Sequence, residues 1–75
     1  MNIKPDATIK DVLTQSQSEK TNINITLRSG NIYQGKVVNI GPQNVRIKLT
    51  GTKSFYDAFI KIEDISAIEV QVRTS

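Results

Sequence analysis

The sequence predicts a mainly β fold: a short N-terminal helix leading into a strongly bent, five-stranded antiparallel small barrel. Three observations predict it. The apolar spacing changes from a helical to a two-residue period near residue 22. Gly30, Gly41 and Gly51 punctuate the alternating runs that follow. With 75 residues the chain is long enough for one domain and too short for two. We expect a single domain over residues 1–75, with a helix at about 7–16 and five strands within 22–73.

The helix rests on Ile9, Val12 and Leu13, which follow i, i+3, i+4 spacing and make one apolar stripe. Thr8 and Asp11 have the spacing of a capping box, and Pro5 and Asp6 suit a helix start. The polar stretch 14–22 reads as a linker. Ile23, Ile25 and Leu27 then alternate with Asn24, Thr26 and Arg28, the pattern of a half-buried strand. Ser29-Gly30-Asn31 marks a turn. The second strand, about 31–40, puts Tyr33, Gly35 and Val37 on one face, and Gly35 signals a bend or a close backbone approach. Gly41-Pro42 breaks it. Val45, Ile47 and Leu49 alternate through a third strand, and residues 50–53 turn again. Residues 55–62 form a fourth strand, Glu63-Asp64 a short break, and residues 65–73 a fifth.

The bulk composition removes several functional classes. There is no cysteine and no histidine, so neither a disulfide nor a zinc site can brace so small a core. Self-association is the remaining brace, and it would also cover the open edges of a small barrel. Seven carboxylates without His or Cys, and without a phosphate-binding glycine loop, point away from an enzyme, and no cofactor is expected. No apolar run can span a bilayer and no signal pattern opens the chain, so we expect a cytoplasmic protein without a membrane partner. The net charge is +3, unevenly spread. Residues 28–61 hold six basic residues against Asp57 alone, a local +5, whereas residues 1–27 are neutral and 62–75 acidic. Such a basic centre favours polyanions, although cations on exposed strand faces also serve solubility.

Taken together, these residues resemble the Sm and Sm-like (LSm) proteins, including Hfq-like members. Ile23, Ile25, Leu27, Gly30, Gly35, Val37 and Ile40 fall at the spacings of the first Sm motif. The run Phe59-Ile60-Lys61-Ile62-Glu63-Asp64-Ile65 looks like the second, with Lys61 and Ile62 where Arg and Gly usually stand. Other small barrels, SH3-like or OB-like, share most of these signals. The resemblance implies a closed ring built by edge-strand pairing, and binding of single-stranded RNA around a basic pore. Gly41 stands where the family usually has Asp, Gln43 where a base-stacking residue is common, and Val45 where Asn is expected beside Asn44. The scaffold therefore matches the family better than the RNA-reading residues do.

The resemblance makes Lys61 the first candidate for RNA binding, with Gln43 and Asn44 in the facing loop. Arg46 and Lys48 share a strand face and suit a phosphate track, or an ordinary soluble surface. The four aromatics, Tyr33, Phe55, Tyr56 and Phe59, are expected as core or subunit-interface anchors, with Tyr56 on the face of Ile60. Two functions follow: a ring-forming Sm-like protein that binds single-stranded RNA, or a homo-oligomeric scaffold for protein partners with little RNA specificity.

Overall fold

The computed structural model describes residues 3–71. One helix, α1 (Ile9–Glu19), precedes strands β1 (Asn22–Leu27), β2 (Ile32–Ile40), β3 (Asn44–Leu49), β4 (Asp57–Lys61) and β5 (Ile65–Val70). The strands form one antiparallel sheet in the order β4-β3-β2-β1-β5. This is the predicted mainly β class.

The helix begins at the expected cap. Thr8 Oγ1 accepts from the Asp11 N–H at 3.1 Å, and Asp11 Oδ2 accepts from the Thr8 N–H at 3.0 Å. It ends later than the sequence suggests, because the apolar stripe continues through Ser16. That side chain is fully buried, and its hydroxyl donates to the Val12 carbonyl at 2.7 Å. The polar residues after Leu13 therefore sit largely on the outside of a helix and not in a linker. Lys20 takes a left-handed conformation, φ 55°, and stops it. Gln17 Nε2 donates to the Val38 carbonyl at 2.7 Å and ties the last turn to β2.

Two features bend the sheet. At Gly35 a Cβ would collide with the Lys48 backbone carbonyl, so only glycine allows β2 and β3 to approach this closely. Just beyond, the β2–β3 register slips between Val37 and Asn39, a bulge that adds twist. The Gly30 turn closes the β1–β2 hairpin with φ 95°. The Arg28 N–H then donates to the Asp64 carbonyl at 2.8 Å, fastening this hairpin to the turn before β5.

The core is aliphatic: Leu13, Ile23, Ile25, Val37, Val45, Ile47, Leu49, Ile60 and Ile65 are buried together. Burying each such branched side chain fully stabilises the fold by about 1.5–3 kcal/mol. Among the described residues no buried side-chain polar atom lacks a partner.

A core role is corrected for three of the four aromatics. Tyr33 packs partly against the core, but Phe55, Tyr56 and Phe59 are exposed. The fourth strand starts at Asp57 and not at residue 55, because Gly51–Lys53 forms a single 3-10 turn that runs on into Ser54. Tyr56 precedes the strand, so alternation does not carry it to the face of Ile60. Phe59 neighbours Ile60 and must point the other way. The expected extension of the fifth strand to residues 72 and 73 lies outside the described residues.

Candidate nucleic-acid interface

β3 and β4 set the site by register. Asn44 faces Lys61, Val45 faces Ile60, Arg46 faces Phe59, Ile47 faces Ala58 and Lys48 faces Asp57. Since Val45, Ile47 and Ile60 are buried, Asn44, Arg46, Lys48, Phe59 and Lys61 all lie on the opposite, outward face. Lys36 joins them from β2, paired across to Lys48.

At one end of this face two turns meet. The Ile62 N–H donates to the Gln43 carbonyl at 2.8 Å, locking the β2–β3 turn against the β4–β5 turn. The Gly41 N–H donates to the Asn44 carbonyl at 2.8 Å and closes the first of these turns on itself. Pro42, Gln43, Lys61, Ile62 and Glu63 line an open depression of about 440 Å³ between them. The fold thus gathers Lys61, Gln43 and Asn44 in one place. Arg46 and Lys48 run away from it along β3, with Lys48 roughly 13 Å from Asn44 at the rise of a strand.

Two acidic residues that spacing alone did not single out change the electrostatics. Glu63 Oε1 lies 2.8 Å from the Lys61 Nζ, and both side chains are solvent-exposed. The hydrogen bond and charge of Glu63 raise the Lys61 ammonium above its ordinary value, and Lys61 lowers the Glu63 carboxyl in return. Exposure leaves this pair screened and easily exchanged for another anion. Asp57 Oδ2 takes both the Arg46 Nε at 2.9 Å and a terminal guanidinium nitrogen at 2.7 Å. The guanidinium also lies 5.5 Å from the centre of the Phe59 ring. Arg46 is therefore engaged within the chain, whereas Lys48 stays exposed. Among the described residues no cluster of His, Cys, Asp or Glu could hold a metal ion, and no helix is long and apolar enough to cross a membrane.

Comparison with solved structures gives the fold a name. The chain superposes on a 1.55 Å crystal structure of the pleiotropic translational regulator Hfq with a TM-score of 0.70 and 19% identity, covering 84% of this chain and all of that one. It superposes on an Hfq protein from Anabaena sp. with a TM-score of 0.65 and 17% identity, covering 85% of this chain and all of that one. The helix followed by five antiparallel strands is thus the Sm-like fold that the sequence motifs suggested. No curated protein matches the chain. A family model described as the small subunit of acetolactate synthase matches residues 12–75. The two comparisons carry different names: the superposition settles the architecture, and the family model groups the sequence. By that match the chain belongs to the family of the small subunit of acetolactate synthase, and it carries the Sm-like fold of Hfq.

Proposed function

We propose that this chain is a cytoplasmic, ring-forming Sm-like protein that binds single-stranded RNA through the basic end where its two turns meet. The observation that carries the reading is the Ile62–Gln43 backbone bond, which holds Lys61, Gln43 and Asn44 together on one exposed edge. β4 and β5 are the two free edges of the sheet. Pairing β4 of one copy with β5 of the next removes both edges and repeats this end around a pore. Several copies of Lys61 would then meet one strand of RNA, so weak phosphate contacts add up through avidity. Lys61 captures phosphate, exchanging Glu63 for it. The Gln43 and Asn44 amides offer donors and acceptors to base edges. Lys48 extends the phosphate track along β3, and Arg46 borders it.

Lys61→Ala tests this directly. It should weaken binding to labelled oligo-U or oligo-A several-fold, and reduce the salt slope by about one unit. Unchanged affinity and unchanged slope would remove Lys61 from the site.

The family match favours a second reading, because its description is that of an enzyme subunit. Under it the chain is a homo-oligomeric scaffold that docks on a protein, with little RNA specificity. Gly41 and Gln43, standing where Sm-like proteins usually carry Asp and a stacking residue, point the same way. An assembly that sediments as a ring yet shows no saturable oligonucleotide binding would select this reading.

A further inference from the structure

We propose that Phe59 is a stacking platform for one base of a single-stranded nucleic acid, with Lys48 and Lys61 holding the phosphates on either side. This rests on the RNA-binding reading above and adds a contact beyond the two-turn end. Phe59 is 73% exposed although it sits in the middle of a strand, on the sheet's outward face. It is the aromatic member of a face that also carries Lys36, Asn44, Arg46, Lys48 and Lys61.

Its surroundings suit a nucleotide. Arg46 lies against the ring and is fixed there by two bonds to a single Asp57 oxygen. Asp57 offsets the Arg46 charge, so the guanidinium acts as a planar partner more than as a phosphate clamp. That leaves the lysines for the backbone. Lys61 is two residues further along β4, and Lys48 faces Asp57, two residues back, so each lies roughly 7 Å along the strand from Phe59. Lys36 stands behind Lys48. One flat apolar surface with cations on both sides is the arrangement that binds single strands with little sequence demand. Arg46 covers one face of the ring, so a base would stack on the other face.

The 75-residue chain contains no tryptophan, so Phe59→Trp in it introduces a unique emission probe. Saturable quenching by oligo-U or oligo-A is expected, with none from an abasic strand of equal length, which offers phosphates but no bases. Phe59→Leu should lose roughly tenfold in affinity for the base-bearing strands, keep wild-type affinity for the abasic strand, and sediment as wild type. Equal wild-type and Phe59→Leu affinities would overturn the platform, while a loss with Lys61→Ala in the same assay would leave the two-turn site standing. A Phe59→Leu protein that falls apart on sedimentation would assign the ring to a contact between copies, which also overturns it. If the wild-type chain binds none of the strands, both readings fail.

Discussion

Strands β2, β3 and β4 present two faces with one backbone between them. The inward face carries Val37, Val45, Ile47, Leu49 and Ile60, all buried and all aliphatic. The outward face carries Lys36, Asn44, Arg46, Lys48, Phe59 and Lys61, none of them buried. Stability therefore resides on one side-chain parity and the proposed binding chemistry on the other. Substitutions should separate the two cleanly, with Phe59 on the outward side. This division is sensible for a small domain: short branched aliphatics fill a narrow bent core, and Tyr33 only packs against its margin.

The sharpest way to break the division is at Gly35, where both faces depend on the β2–β3 approach. Gly35→Ala pushes a methyl group into the Lys48 carbonyl and the Ile47 side chain. We expect a loss of about 3 kcal/mol in urea unfolding, large for a domain of this size, together with weaker binding. A smaller effect comes from the far side of the molecule. Thr8→Ala removes the helix cap and should cost about 1 kcal/mol, while binding to oligonucleotides stays unchanged.

The smallest effect sharpens the outward face. Glu63→Gln frees Lys61 from its carboxylate and should raise RNA affinity roughly twofold at moderate salt without changing stability measurably. The pH dependence follows with its sign. Glu63 is depressed, so its contribution to folding is present above the unfolded-state value and is lost as pH falls through the folded value. Lys61 is raised, so its contribution is present below its unfolded-state value and is lost as pH rises through the folded one. The pair is thus intact at neutral pH. Acidification through the Glu63 range should raise the affinity of the wild-type chain, and the rise should be smaller in Glu63→Gln. Affinity of the wild-type chain that stays flat through that range would contradict the exchange of Glu63 for phosphate.

What the sequence revealed depended on how local the signal was. Thr8 and Asp11 are three residues apart and announced their cap. Gly35 inside an apolar strand announced a close approach, and the alternation through β1 and β3 named most of the core. The polar run after Leu13 hid the rest of the helix, since Ser16 is buried through its own backbone bond and carries no apolar mark. Phe59 and Ile60 are adjacent and both apolar, so alternation could not say which faces inward. Phe55 and Tyr56 were counted into a strand that a 3-10 turn delays. Family spacing placed Lys61 and Gln43 in facing loops. Their junction through the Ile62 N–H, and the clamps by Glu63 and Asp57, are contacts that spacing does not encode.

The most direct test of the central claim is a fluorescence-anisotropy titration of the wild-type chain with labelled oligo-U and oligo-A, at low and near-physiological salt. The account predicts saturable binding with a base preference that survives the higher salt, because amide and ring contacts add to the phosphate term. Binding that is absent, or indifferent to base and abolished as salt rises, would contradict it and leave a protein scaffold with the same fold.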